Sequence, residues 1–293
     1  MHRFMGLGFA VILATRLAVG PSTEAVTQGT VETLIGAGDI ASCAYTTDSQ
    51  TAALLDNEWG TVVALGDNAY LKGTGAQYQD CYGPTWGRHL KRTRPVPGNH
   101  EYETANASGY FGYFGARAGT RGQGWYAYDR GAWRIYALNS NCAEIGGCWV
   151  GSRQQRWLVA DLAAHPHDCV LAYWHHPYFS SGFHGNDVEV RGLWKALQAA
   201  GAEVVLNGHD HDYERFAPQN WQGQADPSHG IREFVVGTGG TGLRPFQVVK
   251  PNSVVRSHTT HGVLRLRLHD GMYRWRFIST DGAFSDTGTA NCH

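Results

Sequence analysis

The chain has 293 residues and carries 24 Lys and Arg against 25 Asp and Glu, which gives a formal net charge of −1 at pH 7. No basic tract accompanies this balance, so the composition argues against a protein that binds nucleic acid or anionic lipid by charge. The 38 glycines are typical of a loop-rich α/β protein.

The first residues have the pattern of an export signal. His2 and Arg3 precede an apolar run over residues 4–14, which is too short to cross a bilayer but suits the central segment of a secretory signal. Arg16 interrupts the run early, and no clear small-residue motif marks cleavage near Gly20 or Ala25. We interpret residues 1–25 as a signal peptide or N-terminal extension and residues 30–293 as one domain. The alternative is that these residues are a frayed N-terminus or that the initiator methionine is misplaced.

Two apolar, β-branched runs predict strands over residues 31–40 and 61–65, with a helix over residues 51–58 between them. Asp39 would end the first strand, and Asp67 would follow the second. The ligand crevice of such a βαβ unit lies at the carboxyl ends of the strands. A glycine before each aspartate, Gly38 or Gly66, would let the chain turn sharply there.

The rest of the chain continues the alternation of strands and helices. We predict a long loop over residues 101–124, strands over 125–128 and 133–138, a helix over 154–164, a strand over 170–173, a helix over 188–200 and a strand over 204–206. Period-two alternation over residues 233–236, 263–268 and 273–278 predicts antiparallel strands of a second sheet.

Five short polar segments beside predicted strands contain the donors that a metal site needs: residues 38–39, 66–70, 98–101, 175–177 and 208–211. Carboxylate oxygen and imidazole nitrogen suit zinc, iron and manganese. Two such ions about 3.5–4 Å apart clamp both oxygens of an in-line displacement and lower the pKa of bound water to about 7. Cations that close need a shared anionic ligand, for which Asp67 is the candidate. Each residue alone is more often a cap, turn or packing residue, but the set in this order favours metal binding.

These segments resemble the five sequence blocks of the purple acid phosphatases, a group within the calcineurin-like metallophosphoesterases. The matching blocks are Gly38-Asp39, Gly66-Asp67-Asn68-Ala69-Tyr70, Gly98-Asn99-His100-Glu101, His175 and Gly208-His209-Asp210-His211. The resemblance extends from residue 35 to residue 240. The wider family has a histidine where this chain has Ala41, and in purple acid phosphatases the tyrosine at the position of Tyr70 replaces that donor.

The resemblance implies a fold and a cofactor. The fold would be α/β, a four-layer α/β/β/α sandwich with two mixed β-sheets, and residues 30–293 would be a single catalytic domain. The cofactor would be two metal ions, Fe(III) and a divalent Fe, Zn or Mn ion. The implied ligands are Asp39, Asp67, Tyr70 and His211 for Fe(III), and Asp67, Asn99, His175 and His209 for the divalent ion.

The implied activity is hydrolysis of a small-molecule phosphomonoester, of the acid phosphatase type, by metal-activated hydroxide and without a covalent phospho-enzyme. His184, in a loop after His175, would protonate the leaving group, although a surface-loop histidine is its alternative reading. His100 is the second acid–base candidate because it follows Asn99. His176 would line the site or form a hydrogen bond nearby.

Other functions stay open. A phosphodiesterase or nucleotidase of the same superfamily would use the same metal site, because the fold and the metals do not fix the substrate. A metallo-β-lactamase-type hydrolase would need His-x-His-x-Asp-His, and the run that begins at His209 lacks it. A non-catalytic secreted binding protein is the third alternative, for which missing ligands would be expected.

Six cysteines indicate the compartment, and none has C-x-x-C spacing: Cys43, Cys81, Cys142, Cys148, Cys169 and Cys292. Cys142 and Cys148 enclose a short glycine-containing loop and could close a small disulfide. By analogy, Cys43 would pair with Cys81 and Cys169 with Cys292, one of fifteen possible connectivities. Free thiols would be expected only in the cytosol.

The cysteines and the export pattern together predict a secreted or periplasmic protein, and 20 Arg against 4 Lys indicate a GC-rich bacterial source. We expect a small phosphoester as substrate, no nucleic-acid partner and no membrane association after signal cleavage. The oligomeric state stays open.

Overall fold

The computed structural model describes residues 1, 2, 4 and 30–293. The interpretation of residues 1–25 as a signal peptide falls almost entirely outside this part of the chain. The assignment of residues 30–293 to one catalytic domain stays a prediction.

The described chain alternates strands with short helices. The strands are β1 (Glu32–Ala37), β2 (Thr61–Leu65), β3 (Thr93–Val96), β4 (Tyr126–Arg130), β5 (Trp133–Ala137), β6 (Cys169–Tyr173), β7 (Val204–Asn207), β8 (Tyr213–Phe216), β9 (Arg232–Val236), β10 (Ser253–Ser257), β11 (Gly262–His269), β12 (Met272–Ser279) and β13 (Thr287–Asn291). The helices are α1 (Thr47–Asp56), α2 (Gly75–Gln77), α3 (Asn99–Tyr102), α4 (Ser108–Phe114), α5 (Arg153–Ala164) and α6 (Arg191–Ala199).

The strands form two mixed sheets, which confirms the predicted fold class. One sheet has the order β13-β12-β11-β1-β2-β3, and the other has the order β10-β8-β9-β7-β6-β5-β4. Strands β1, β2 and β3 are parallel, as are β5, β6, β7 and β9, while the outer strands are antiparallel. Residues of both sheets share one buried apolar cluster, which includes Leu34, Leu264, Leu206 and Phe234.

Helices cover the outer face of the seven-stranded sheet and part of the outer face of the six-stranded sheet. A second apolar cluster joins Leu158 of α5 and Trp194 of α6 to Val170 and Val205 of the seven-stranded sheet. Helix α1 packs beside β11 of the six-stranded sheet. None of the helices described combines the length and the apolar character that a membrane crossing requires.

The three predicted tail strands are present, but the prediction that all of them are antiparallel strands of the second sheet was wrong. Strand β9 lies in the seven-stranded sheet between β7 and β8, whereas β11 and β12 continue the sheet that begins with β1. Strand β11 pairs antiparallel with β1, from Gly36 opposite Leu264 to Glu32 opposite Leu268. Period-two alternation identifies a strand and its buried face, but it carries no information about the neighbouring strand.

Other boundaries and elements also differ from the prediction; helix α1, for example, spans Thr47–Asp56 and not residues 51–58. The strand predicted over residues 31–40 ends at Ala37, so Asp39 follows the strand and does not end it. The loop predicted over residues 101–124 contains helix α4, which buries Tyr110, Phe111 and Phe114. Strand β3 was not predicted, because it contains Pro95; proline is tolerated there since β3 is an edge strand.

The disulfide pairing proposed by analogy is confirmed. Cys43 pairs with Cys81, Cys142 with Cys148, and Cys169 with Cys292. The last bond joins β6 to the carboxyl end of the described chain, across a sequence separation of 123 residues. Closing a loop of that length removes much conformational entropy from the unfolded chain.

Candidate metal centre

The loops that follow the parallel strands of both sheets meet at one point. Asp39 follows β1, Asp67 follows β2, His175 follows β6 and His209 follows β7. The main-chain N–H of Gly38 donates to the carbonyl of Val236 at 2.8 Å, which ties the two sheets together at this edge. The carboxyl ends of two sheets therefore supply donors to a single crevice.

The backbone in these loops is strained. Asp39 has a φ of 59°, Asp67 a φ of 47° and His209 a φ of 73°. Non-glycine residues reach this left-handed region only at a cost of about 1–3 kcal/mol each, and they cluster at functional sites. The predicted glycine turn is present at Gly66, where φ is 89°, whereas after Gly38 the turn is made by Asp39 itself.

Two carboxylates and a phenol form the centre of the cluster. The hydroxyl of Tyr70 lies 2.7 Å from Asp39 Oδ1 and 3.0 Å from Asp67 Oδ2. It also lies 3.2 Å from His211 Nε2. Asp39 and Asp67 are fully buried, and Tyr70 is nearly so.

Two histidines face these carboxylates. His175 Nε2 lies 3.3 Å from Asp67 Oδ2, and His211 Nε2 lies 3.3 Å from Asp39 Oδ1. Each Nδ1 lies 2.8 Å from a main-chain carbonyl, that of Leu65 for His175 and that of Gly242 for His211. A carbonyl only accepts, so Nδ1 carries a proton and Nε2 is the nitrogen presented to the crevice. Such a contact fixes the ring of a metal-binding histidine.

The electrostatics of the crevice favour positive charge. Burial opposes the imidazolium of His175, yet Asp67 and Asp39 together raise its pKa to about 9. Burial likewise opposes the charge of His211, whose pKa is raised by Asp39. Burial and the same two carboxylates hold the pKa of Tyr70 well above its usual value, so the phenol is a donor in the protein alone. A bound cation would have to displace these protons, which makes metal affinity fall with falling pH.

The donor set fits metal ions. Asp39, Asp67 and His175 each offer an atom within 4.8 Å of the others, and His175, His176 and His209 do the same. Within the described residues, the buried Oδ1 of Asn99 has no hydrogen-bond partner, and neither has Nε2 of His175. Buried polar atoms without a partner are costly and call for an explanation, such as an ion. His175 belongs to both groups, and Asp67 Oδ2 lies 3.3 Å from its Nε2.

Glu101 holds the loops after β2 and β3 together. Its Oε2 accepts hydrogen bonds from the main-chain N–H groups of Gly98 at 2.7 Å and Asp67 at 2.9 Å. Its Oε1 accepts from the N–H of Asn68 at 2.9 Å and from the hydroxyl of Tyr78 at 3.0 Å. Burial and the Asp67 charge raise the pKa of Glu101 to about 7. No role for Glu101 is predicted from the sequence, although a glutamate three residues after Gly98 matches a capping box.

The two acid–base candidates lie on opposite sides of the crevice. His100 packs against Tyr70 with ring centroids 4.5 Å apart, and its Nε2 lies 3.8 Å from Asp67 Oδ2. His184 stacks on His209 with ring centroids 4.2 Å apart, and its side chain is accessible at the rim. Both predicted residues therefore border the donor cluster.

Two more side chains complete the site. Arg244 Nη1 donates to His184 Nε2 at 2.9 Å, and sequence reasoning missed this arginine because it stands in no recognised block. Arg244 stands shortly after the glycine-rich residues 237–240, and this position in the sequence is the one signal by which it could have been found. His176 stacks on His209 at a centroid distance of 4.4 Å, and its Nδ1 lies 2.8 Å from the hydroxyl of Ser140. It thus lines the site, as expected.

A cavity of about 320 Å³ adjoins Asn99 and His176. Its wall contains four carboxylates, those of Glu103, Glu144, Asp187 and Glu189, and among the described residues no Lys or Arg lines it. If a molecule bound at the metal centre extends a group into this cavity, that group experiences a negative potential.

The fold and the cluster of metal-binding side chains are together those of a metallophosphoesterase. A family model described as calcineurin-like phosphoesterase matches residues 33–213, and the chain belongs to this family. Purple acid phosphatase 15 of Arabidopsis thaliana is 27% identical over 240 residues, which cover 69% of this chain and 44% of that protein. The chain thus spans less than half the length of that relative.

Two other comparisons agree. A nucleotide pyrophosphatase/phosphodiesterase of Hordeum vulgare is 26% identical over 277 residues, which cover 80% of this chain and 72% of that protein. The solved structure of purple acid phosphatase PPD1 from yellow lupin (Lupinus luteus) seeds superposes with a TM-score of 0.71 at 18% sequence identity, covering 90% of this chain and 54% of the other. The findings confirm the resemblance to purple acid phosphatases.

Replacing Gly98 with alanine tests how closely the loops must approach. A Cβ at Gly98 would collide with the Oδ1 and main-chain nitrogen of Asp67, and it would lie 2.8 Å from Asp67 Cγ. We expect Gly98→Ala to lower metal affinity about 10–100-fold, the range seen when the support of a ligand is disturbed. Elemental analysis after dialysis against limiting metal measures this.

Gly112→Ala is the matched control for that experiment. Apart from its chain neighbours and the backbone of its own helix α4, no described atom lies within 4 Å of a Cβ built at Gly112. Its metal content should equal that of the wild type, and its stability should rise because alanine favours a helix more than glycine by about 1 kcal/mol. Equal metal content in all three proteins would show that Asp67 tolerates displacement.

Proposed function

We propose that the protein is a phosphomonoesterase of the purple acid phosphatase type that uses two metal ions. The observation that carries this proposal is the position of Asp67. One of its carboxylate oxygens lies 3.0 Å from the hydroxyl of Tyr70 and 3.3 Å from His175 Nε2. The carboxylate of Asp67 therefore lies within reach of both Tyr70 and His175, which belong to different proposed ligand sets.

The ligands divide into two sets that share Asp67. Asp39, Asp67, Tyr70 and His211 would hold Fe(III), because a trivalent ion favours anionic oxygen. Asp67, Asn99, His175 and His209 would hold a divalent Fe, Zn or Mn ion. When bound, two such ions lower the pKa of water and stabilise the charge that develops on the phosphoryl oxygens.

Side chains of the protein would protonate the leaving group and contact the phosphate. His184 stands at the rim, and its Nε2 accepts from Arg244, so Nδ1 carries the proton in the neutral ring. Arg244 also offers a guanidinium to phosphate oxygens beside the crevice. His100 lies across the site next to Asn99 and can contact the phosphate from the other side.

The acidic cavity favours monoesters of neutral or cationic alcohols over nucleoside di- and triphosphates. Four carboxylates beside Asn99 and His176 repel a leaving group that carries further phosphates, whereas a neutral or cationic alcohol is accepted. The barley relative named for nucleotide pyrophosphatase and phosphodiesterase activity keeps the diesterase as the second candidate.

Export is part of the proposal. Three disulfides suit an oxidising compartment, and the apolar run near the amino end suits a secretory signal. We place the protein outside the cytoplasm of a bacterium, in the periplasm or in the medium.

Asp67→Asn tests the shared ligand. Asparagine tolerates the left-handed backbone of position 67 but removes the bridging charge. We expect both ions and the hydrolysis of p-nitrophenyl phosphate to be lost together, measured by elemental analysis and turnover of the same sample. Asp48→Asn, at a buried carboxyl that accepts from Thr85, should keep both. Two retained ions in Asp67→Asn would refute the bridge, and an inactive metal-loaded wild type would favour the binding-protein alternative.

Tyr70→Phe tests the identity of the first ion. An iron-bound phenolate absorbs visible light by charge transfer, so the pure wild type should be coloured and the variant colourless. Phenylalanine keeps the packing against His100, which limits other effects. Tyr110→Phe, at a buried tyrosine that donates to the carbonyl of Pro95, should retain the colour. A colourless wild type that contains iron would exclude the ferric tyrosinate.

His184→Ala tests the leaving-group acid. A positioned acid contributes about 10²–10⁴-fold, and it matters most when the alcohol leaves poorly. We expect alkyl phosphates to slow within that range and aryl phosphates to slow much less, in kcat/KM measurements. His165→Ala, at an exposed histidine near Asp161, serves as the control. Equal slowing of both substrate classes would argue against acid catalysis by His184.

A further inference from the structure

Four arginines lie on one exposed face of the six-stranded sheet. Arg265 on β11 is directly opposite Arg276 on β12, and Arg267 is directly opposite Arg274. Residues opposite each other across an antiparallel pair, and residues two apart along a strand, point to the same face. We call Arg265, Arg267, Arg274 and Arg276 the arginine face.

The arginine face is the outer face of the sandwich. The residues that alternate with these arginines, such as Leu266 on β11 and Phe277 on β12, are buried in the core between the sheets. Arg267, Arg274 and Arg276 are exposed. The four side chains border a cavity of about 370 Å³, together with Thr287 of β13, whose hydroxyl adds a further donor.

The folded chain neutralises little of this charge. Arg265 forms an ion pair with Glu58, just beyond α1. Within residues 30–293, the other three arginines form no salt bridge. Like charges directly opposite each other in a sheet are destabilising, and the chain as a whole is close to neutral. These three arginines therefore contribute no ion pair to the stability of the described fold.

The arginine face is separate from the metal centre. Arg265 pairs with Ile35 and Arg267 with Thr33, in the first part of β1, whereas Asp39 follows the carboxyl end of that strand. A ligand held here would not be in contact with the reacting groups.

We propose that the arginine face binds a phosphodiester polymer through its phosphate groups. Opposite residues in a sheet are about 5 Å apart, and residues two apart along a strand are about 7 Å apart, so four guanidinium groups form a small grid. Each guanidinium presents a planar fork that matches a phosphate. Repeated phosphates along an extended polymer can contact several forks at once, which a single small anion cannot.

Recognition at this face depends on charge and not on the groups that link the phosphates. The aromatic residues of β12 are Tyr273, Trp275 and Phe277, and all three are buried; Trp275 borders the cavity but is only 7% exposed, too little to present a ring face. Stacking of bases on aromatic rings, the usual support for single-strand binding, is not offered here by the described residues. Binding should therefore be insensitive to base sequence and steeply dependent on salt.

The test is titration of a fluorescein-labelled oligodeoxythymidylate of about a dozen nucleotides with the metal-loaded protein, followed by fluorescence anisotropy. Saturating inorganic phosphate occupies the metal centre. Contacts of the three unpaired arginines to phosphates predict a slope of log K against log salt of about −2.1, from about −0.7 per neutralised phosphate of a single strand. The variant R267Q/R274Q/R276Q should bind at least about tenfold more weakly, with a slope near zero.

A second triple variant separates this site from a general charge effect. R121Q/R153Q/R156Q removes the same charge from exposed arginines elsewhere on the protein, and it should bind like the wild type. Equal weakening in both variants, or no measurable binding by the wild type, would overturn the proposal. Tighter binding of a sulfated polysaccharide of equal charge would overturn the choice of phosphate.

Folding and activity are independent readouts. Removal of like-charge repulsion should leave the Tm of R267Q/R274Q/R276Q unchanged or raised, and turnover of p-nitrophenyl phosphate should be unchanged because no residue of the arginine face lies in the metal centre. A failed binding experiment with intact turnover would reject the arginine face alone. Absent turnover in the wild type would reject the proposed phosphatase function alone.

Discussion

The metal centre depends on the buried carboxylate of Glu101. It accepts from the N–H groups of Gly98, Asp67 and Asn68 and from the hydroxyl of Tyr78, and so it fixes the loops after β2 and β3 relative to each other. Each of these donors would cost about 1–3 kcal/mol if it were buried without a partner. This one group therefore holds the main chain at Asp67 in place beside the loop that carries Asn99.

Strained backbone and buried charge both occur at the place where the ions would bind. Asp39, Asp67 and His209 hold left-handed backbone conformations. Two buried carboxylates raise the pKa values of the histidines that face them. The left-handed backbone costs stability, whereas the raised histidine pKa values show that the folded protein alone holds protons in the crevice, which bound cations would replace. The arrangement is therefore preorganised for positive charge.

The molecule has two surfaces of opposite charge. The carboxylates near Asn99 and His176 make the mouth of the crevice negative, and the arginine face on β11 and β12 is positive. The near-neutral composition conceals both, because the opposite charges cancel in the sum. Electrostatic complementarity acts over distances of about 10 Å or less at physiological salt, so the two surfaces can select different ligands.

The sequence by itself determined the donor types, their order and most of the strands and helices, because hydrophobic periodicity and turn residues act within a few positions of the chain. It also identified the family, through five short blocks. Only the tertiary structure decided which strands are neighbours, that Arg244 reaches His184, and that Glu101 joins two loops. Asp39 and His211 are far apart in the chain, and their 3.3 Å contact is set by the packing of two sheets, which no local pattern encodes.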